Sequence, residues 1–306
     1  MKSLAIAIGP QPETWVSQAI EAGGGTPTDD LEHAQGLIWT PSGDVSGLQA
    51  LLARHPGIGW VQLPAAGVER YAQAGVFDDH HQFTCAKGAY REPVAEHALL
   101  LALGGLRLMA ERLRTRSWGT PAGTSLFDQP VTIVGGGGIT EALLELLAPF
   151  RVTATVVRRS THPVPGAART LTPDRLEEAL GSALVVFLAV ALTPATTHLI
   201  GAAQLRKMRA DSWLVNVARG AIVDTVALMD ALVGGEIAGA ALDVTDPEPL
   251  PDGHPLWDMP NCIITPHTAD TWEMIRPLLA RRIAENVRRL QKGEPLVGLV
   301  DPVAGY

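Results

Sequence analysis

The sequence is poor in cysteine, in long apolar runs and in positive charge, and each shortage excludes a class of protein. Its two cysteines, Cys85 and Cys262, lie far apart, so we predict neither a disulfide framework nor a metal site of paired cysteines. The purest apolar run, residues 183–192, is too short for a membrane-spanning helix, which needs about 20 residues. A net charge of -8 disfavours nucleic acid as a partner. The N-terminal residues lack the cleavage pattern of a signal peptide, so we expect a globular cytoplasmic protein without membrane or metal.

Two patterns of secondary structure follow one another along the chain. Before residue 90, short apolar segments alternate with helical segments, which predicts a small α/β unit. Residues 92–118 predict one long helix that is apolar on most sides, and residues 271–293 predict a second, which ends at Gly293 and is kinked or started by Pro277. The apolar runs between these helices predict a parallel sheet covered on both faces; they are VTIV, VTATVV, LVVFL, SWLVNV, GAALDV and CIIT. With helical segments between the strands, this order predicts a doubly wound sheet.

The first of those strands runs into a glycine-rich turn, VTIVGGGGIT, at residues 131–140. A dinucleotide-binding turn needs glycine for a tight bend, for close approach to a pyrophosphate and for close packing of the following helix. Gly135 and Gly137 fill the first two places, and Thr140 takes the third, where its side chain should displace the helix or contact a phosphate. The glycines alone fit a flexible loop equally well. The strand before them and the helix after them favour a cofactor site that includes Gly138 and Ile139.

Arginine stands at the end of the second strand, where a dinucleotide site usually has an acid that binds the adenosine ribose. Arg158 takes this place, followed by Arg159 and Ser160. A carboxylate would repel a ribose 2′-phosphate, whereas a guanidinium binds it through charge-assisted hydrogen bonds of about 1.5–3 kcal/mol each. The sequence therefore predicts that NADP(H) is preferred over NAD(H). The alternative is that both arginines are solvated charges at a strand end.

Polar residues follow the later strands, at the sheet edge where open α/β sheets bind ligands. They are Arg219, Asp243, Glu248 and His267. A histidine can protonate a forming alkoxide, a neighbouring acid favours its protonated form, and an arginine polarises a carbonyl and binds a carboxylate. Singly, each residue also fits a salt bridge, a turn or a helix cap. His97, in the long helix, is interpreted as a packed helix residue.

These motifs, in this order, resemble the D-isomer-specific 2-hydroxyacid dehydrogenases, which include glyoxylate/hydroxypyruvate reductases and phosphoglycerate dehydrogenases. The resemblance covers nearly the whole chain, and four of its segments are highly specific: LTPATTHLIGAAQLRKM, LVNVARGAIVD, AALDVTDPEPLP and HPLWDMPNCIITPHTAD. It implies that Arg219 binds substrate, that His267 is the general acid/base and that Glu248 is its paired acid. It also implies cofactor contacts from Thr196, Val217, Ala218 and Asp243, and substrate contacts from the backbone amides of Ala66 and Gly67.

The resemblance further implies two Rossmann- or flavodoxin-like domains with the chemistry in a cleft between them. The cofactor domain, residues 93–271, is inserted into a discontinuous flavodoxin-like substrate domain, residues 1–92 plus 272–306. A homodimer formed with the first long helix is also implied. The sequence departs from the family pattern at four positions: Thr140, Arg158, Asp270 in place of a usual glycine, and Cys85 in place of a common asparagine.

We therefore expect an oxidoreductase that transfers hydride between NADP(H) and a small 2-oxo or 2-hydroxy acid, with glyoxylate or hydroxypyruvate first among the candidates. An NAD-linked phosphoglycerate-type dehydrogenase is the alternative within the enzyme class, and Arg158 argues against it. A cofactor-sensing binding protein, like corepressors that resemble this family, is the alternative outside it.

Overall fold

The computed structural model describes residues 4–301, and the predicted domain limits at residues 1 and 306 lie outside this range. Its strands are β1 Ala5–Gly9, β2 Thr26–Thr28, β3 Gly36–Trp39, β4 Trp60–Gln62, β5 Gln82–Thr84, β6 Pro130–Val134, β7 Thr153–Val157, β8 Arg169–Leu171, β9 Val185–Leu188, β10 Trp213–Asn216, β11 Gly239–Leu242 and β12 Cys262–Ile264. Its α-helices are α1 Thr14–Ala22, α2 Val45–Arg54, α3 Glu69–Gln73, α4 Arg91–Leu106, α5 Met109–Arg114, α6 Gly138–Leu147, α7 Leu176–Ser182, α8 Ala202–Leu205, α9 Thr225–Gly234 and α10 Trp272–Lys292. Short 3-10 turns lie at Ala148–Phe150, Pro173–Arg175, Gly220–Ile222 and Pro255–Trp257.

The chain divides into two compact units, one formed by Met1–Tyr90 with Thr271–Tyr306 and the other by Arg91–Asp270. The first unit contains a parallel five-stranded sheet in the order β2-β1-β3-β4-β5, which is the flavodoxin-like order. The second contains a parallel seven-stranded sheet in the order β12-β11-β10-β9-β6-β7-β8. Strands β6 to β8 follow one another toward one edge of the sheet and β9 to β12 toward the other. The strand order therefore reverses between β6 and β9, as in a dinucleotide-binding fold. The predicted fold class is confirmed.

Both faces of the seven-stranded sheet are buried, as the continuous apolar runs predicted. Alternate residues of a strand point to opposite faces, and those of β9 divide in this way between two core clusters. Val186 and Leu188 pack with one cluster, while Val185 and Phe187 pack with the other. Helices cover both clusters, so polar groups can be reached by a ligand at the strand ends rather than on the faces of the sheet.

The prediction of one long helix over residues 92–118 is wrong in the length of the helix. Helix α4 ends at Leu106, Leu108 adopts a left-handed conformation with φ of 55°, and α5 follows for six residues. The carbonyl of Leu106 accepts a hydrogen bond from the amide of Thr124 instead of continuing the helical ladder. Hydrophobic periodicity continues past this break, so the pattern alone did not reveal it.

Helix α10 behaves more nearly as expected. It begins at Trp272 and contains Pro277, so this proline does not mark its start, and it ends at Gly293, whose φ of 65° is left-handed. Its residues Leu279, Ile283 and Val287 pack in the same core cluster as α1, within the first unit. No helix in residues 4–301 combines the length and apolarity needed to cross a membrane.

Candidate active site

The glycine-rich turn leaves an open backbone surface at the start of α6. Gly135 has a φ of 123°, and a Cβ there would lie 2.1 Å from the carbonyl oxygen of Ala189, so a side chain is excluded. Gly137 precedes the helix, and a Cβ built on it would meet nothing within 4 Å. Gly138 and Ile139 form the first helical positions of this ten-residue helix. Free amides at a helix N-terminus with open space before them fit the pyrophosphate of a dinucleotide.

Thr140 lies fully buried in this turn, at 0% exposure. Its hydroxyl donates a hydrogen bond to the carbonyl oxygen of Gly135 at 3.1 Å. The predicted contact between this hydroxyl and a phosphate is therefore wrong, because the group is enclosed and already bonded inside the turn. The threonine closes the turn across its base.

The candidate residues for the adenosine end follow β7. Arg158 is half-buried and lies against Gly136, while Arg159 is exposed. The hydroxyl of Ser160 accepts a hydrogen bond from the amide of His162 and lies 2.8 Å from Nδ1 of the same histidine. The side chain of Arg158 thus packs directly on the glycine turn.

Other predicted cofactor residues lie after β9 and β10. The hydroxyl of Thr196 donates to the carbonyl of Ala191 at 2.8 Å and so fixes the loop that follows β9. Val217 and Ala218 are buried at the end of β10.

Arg219 is presented by a turn that a buried asparagine holds in shape. Asn216, at 0% exposure, donates from its side-chain nitrogen to the carbonyl of Arg219 and accepts from the amide of Ala218. A Cβ at Gly220 would lie 1.9 Å from the carbonyl oxygen of Thr245, so only glycine permits this close approach. The turn thus places Arg219 at the carboxyl edge of the sheet, beside the loop that leads to Glu248.

Glu248 and His267 form a direct pair. Oε1 of Glu248 lies 2.7 Å from Nδ1 of His267, and each side chain is 42% exposed. The contact occupies Nδ1, which leaves Nε2 as the nitrogen that can exchange a proton with a ligand. His267 has a φ of 49°, a left-handed conformation that few non-glycine residues adopt and that the surrounding contacts must maintain.

Those contacts come from Asp243, whose carboxylate is 2% exposed. It accepts hydrogen bonds from the Thr265 hydroxyl at 2.6 Å, the Thr268 amide at 2.9 Å and the Ala269 amide at 3.1 Å. Its backbone carbonyl accepts from the amide of His267 at 2.8 Å. Asp243 therefore holds the histidine loop on both sides of His267.

His97 completes this polar cluster from α4, so its interpretation as a simple packed helix residue is wrong. Its Nε2 lies 3.0 Å from the Thr265 hydroxyl and 3.3 Å from Oδ1 of Asp243, and its side chain is 12% exposed. Burial by itself would raise the pKa of Asp243, but the hydrogen bonds from His97, Thr265 and the two loop amides lower this pKa below its ordinary value. The carboxylate is thus kept ionised as the anchor of the loop.

Sequence reasoning missed His97, Asn216 and Thr265, all of which support predicted residues. Asn216 and Thr265 stand at the ends of strands, where a polar residue in an apolar run is a usable signal. His97 and Thr265 are 168 positions apart, and no local pattern joins them.

The predicted substrate-loop residues belong to the first unit. Ala66 is exposed and Gly67 half-buried in the loop between β4 and α3. The amide of Ala86 donates to the carbonyl of Ala65 and so fixes this loop. Cys85 is 0% exposed, and burial raises the pKa of its thiol, which makes the thiol unreactive. Residues 4–301 contain no group of three or more His, Cys, Asp or Glu side chains that could hold a metal ion.

Comparison with known proteins identifies the family. The model of the D-isomer specific 2-hydroxyacid dehydrogenase NAD-binding domain matches residues 97–269. An uncharacterized protein of Corynebacterium melassecola is 39% identical over 96% of this chain and 98% of its own length. A glyoxylate reductase of Thermofilum pendens is 33% identical over 80% of this chain and 72% of its own. The chain belongs to the D-isomer specific 2-hydroxyacid dehydrogenase family. It is an oxidoreductase of 2-hydroxy acids, as the sequence predicted.

A solved member of this dehydrogenase family has the same fold. It is the enzyme from Xanthobacter autotrophicus Py2 in complex with NADPH and MES, which superposes with a TM-score of 0.86 at 27% identity and covers 99% of this chain and 100% of its own.

Asp270 is a charged residue beside the histidine loop of this dehydrogenase. Burial is the main cause that raises the pKa of its carboxyl, and the negative charge of Asp243 adds to this rise. The positive charges of His267 and Arg219 oppose the rise. The same carboxyl therefore lies within the electrostatic reach of both Arg219 and His267.

Proposed function

We propose that the protein is an NADPH-dependent reductase of a small 2-oxo acid, with glyoxylate or hydroxypyruvate as the first candidate. The observation that carries this proposal is the pair formed by Nδ1 of His267 and the carboxylate of Glu248, with a separation of 2.7 Å. Such a pair keeps an imidazolium oriented and ready to donate its second proton. Glyoxylate reductase activity of the Thermofilum pendens relative supports the substrate class.

Each residue of the proposed site has one task. A bound nicotinamide cofactor would supply the hydride that reduces the keto carbon of the substrate. His267 donates the proton from Nε2 to the carbonyl oxygen as the alcohol forms, and Glu248 stabilises the imidazolium before this transfer. Arg219 binds the substrate carboxylate and polarises the carbonyl.

For the cofactor, the proposed contacts begin at the glycine turn. Gly135, Gly137, Gly138 and Ile139 would receive the pyrophosphate at the N-terminus of α6. Arg158, with Arg159 and Ser160, would bind the 2′-phosphate of NADP(H). Thr196, Val217, Ala218 and Asp243 would line the rest of the cofactor. The NADPH-bound structure from Xanthobacter autotrophicus Py2 supports this choice of cofactor.

We also propose a cytoplasmic homodimer. The segment that includes the end of α4 and all of α5 exposes large apolar side chains: Leu100 is 61% exposed, Leu113 72% and Trp118 95%. Large apolar side chains exposed along one segment are typical of an association surface, and a second copy of the chain is the proposed partner.

The test is the loss of NADPH or NADH absorbance with a panel of 2-oxo acids that includes glyoxylate and hydroxypyruvate. We expect turnover with NADPH and slower turnover with NADH. Absence of turnover on every acid, by protein shown to be folded, would refute the proposed reaction. Much faster turnover with NADH would refute only the role of Arg158.

A further inference from the structure

Three of the four consecutive glycines of the turn differ in what requires a glycine there. At Gly135 the backbone requires it, because φ is 123° and the Ala189 carbonyl is too close for a side chain. At Gly137 a Cβ would point into open space, which suits a site that a ligand must approach. Gly136 fits neither case. It is absent from the set of residues with positive φ, so a left-handed backbone is not what requires glycine there.

What Gly136 makes room for is the side chain of Arg158. A Cβ built on Gly136 would lie 2.7 Å from Cδ, 2.9 Å from Nε and 3.1 Å from Cβ of Arg158. Real Cβ contacts essentially never fall below 3.0 Å, so with any larger residue at 136 the arginine stem would have to move. The aliphatic stem of Arg158 therefore lies directly on the backbone of the turn because the residue beneath it has no side chain.

We propose that Gly136 is a specificity-determining residue, which positions Arg158 for a cofactor that carries a 2′-phosphate. The inference rests on the proposed preference for NADP(H), and it assigns that preference to a pair of residues instead of to the arginine alone. An arginine free in solvent must lose much rotamer freedom when it binds a phosphate. A stem already packed on the turn has lost part of that freedom before the ligand arrives, which favours binding. Gly136 acts through Arg158 and is not expected to contact the ligand.

The structure also indicates that Gly136→Ala will fold. The two atoms that an added methyl group would meet most closely, Cδ and Nε of Arg158, belong to the outer, flexible part of the side chain, which can turn toward solvent. The Cβ of Arg158, at 3.1 Å, has to give by only a few tenths of an ångström. The methyl group should thus displace the arginine without disturbing the strand or the helix. A selective loss of affinity for the 2′-phosphate is the expected signature.

The experiment measures binding of two probes by calorimetry, adenosine 2′,5′-bisphosphate and 5′-AMP, to the full-length protein. The variants are Gly136→Ala, Arg158→Ala and the double variant. Arg158→Ala should lower the affinity for adenosine 2′,5′-bisphosphate by about 10–100-fold, the range of one charge-assisted hydrogen bond. Gly136→Ala should lower the same affinity by roughly 3–10-fold, a smaller loss because the arginine is displaced and not removed. Neither change should alter the affinity for 5′-AMP, and the double variant should bind no more weakly than Arg158→Ala.

Gly234→Ala is the matched control, because Gly234 lies at the end of α9 and a Cβ there would come no closer than 3.9 Å to Glu236. It should leave both affinities unchanged. Equal weakening of both probes by Gly136→Ala would mean that the turn itself is damaged, and would overturn the inference. Independent, additive losses in the double variant would overturn it as well.

Failure of this inference can be told from failure of the proposed cofactor. If the unmodified protein prefers the bisphosphate and Arg158→Ala removes the preference, but Gly136→Ala does not change it, only the role of Gly136 is refuted. If the unmodified protein binds both probes equally and Arg158→Ala changes nothing, the NADP(H) preference and the role of Gly136 are refuted together.

Discussion

Each of the two units buries a cluster of polar side chains, and the two clusters differ in what they hold. In the first unit, Gln62, Thr84 and Asn286 are all 0% exposed. Asn286 of α10 donates to Oε1 of Gln62 and to the carbonyl of Val297, and accepts from the amide of Val297. The Thr84 hydroxyl also donates to Oε1 of Gln62. The hydrogen bonds of this network join buried groups of the first unit to one another. The cluster therefore links the C-terminal segment of that unit, with Asn286 and Val297, to the sheet formed by its N-terminal segment.

The cluster of the second unit is built by the same rule, that a buried polar group must be hydrogen-bonded, but it holds an exposed loop. Asp243 binds the amides on the C-terminal side of His267, and His97 supports it from α4. This loop carries His267, which is 42% exposed and paired with Glu248. Comparison of the clusters shows that buried hydrogen bonds join segments of the fold in the first unit, whereas in the second unit they fix the loop that carries a partly exposed histidine.

The largest effect expected from this comparison is that of His267→Asn. The variant lacks the proton donor, so the reductive rate should fall by about 10²–10⁴-fold, while the affinity for NADPH and the thermal midpoint stay nearly unchanged. Steady-state kinetics and a binding titration measure the two quantities. Retained turnover would show that His267 is not the acid, and the second-unit cluster would then have only a structural role.

Next in size is Asn286→Ala in the first unit. It leaves buried groups of Val297 unpaired, and the free energy of unfolding should decrease by about 2–4 kcal/mol. The turnover of the folded protein should not change. Gln49→Ala, which removes an exposed hydrogen bond to the carbonyl of Ala74, should cost much less. A turnover defect in folded Asn286→Ala would contradict the division between the two clusters.

A smaller effect is expected for His97→Ala. Loss of the Nε2 contact with Thr265 and Asp243 should loosen the histidine loop and lower kcat by about 3–10-fold, the equivalent of one hydrogen bond. KM and the affinity for NADPH should be the same as in the unmodified protein. His97→Gln can still donate a hydrogen bond and should recover part of the rate. A loss of stability without any loss of kcat would assign His97 a structural role alone.

The smallest effect concerns Asp270, whose carboxyl has a pKa raised chiefly by burial. The protonated form is favoured in the folded protein, so this stability contribution is complete below the ordinary pKa of 3.8 and is lost as pH rises through the raised value. Asp270→Asn cannot ionise. Its thermal midpoint at neutral pH should exceed that of the unmodified protein by about 2 °C, and the difference should disappear at acidic pH. A constant difference across the pH series would show that ionisation is not the cause.

Much of the fold followed from the sequence because its signals are local. Continuous apolar runs predicted six strands of the larger sheet, and Gly293 predicted the end of α10. The exposed edge strand β8 and the break at Leu108 were missed. The first has no apolar run, and the second depends on a hydrogen bond from Thr124 to Leu106.

The sequence by itself determined the order of most strands and helices, the family and the residue types available at each strand end, since these depend on neighbours along the chain. It predicted Arg219, Glu248 and His267 as a set, and their roles stay predictions until activity is measured. Only the tertiary structure decided which atoms meet. It placed the Thr140 hydroxyl on Gly135, joined His97 to Asp243 and laid Arg158 over Gly136. The contacts of His97 with Asp243 and of Arg158 with Gly136 join different elements of the fold, and no spacing along the chain encodes them. The Thr140 hydrogen bond is local, but it depends on the conformation that the folded turn adopts.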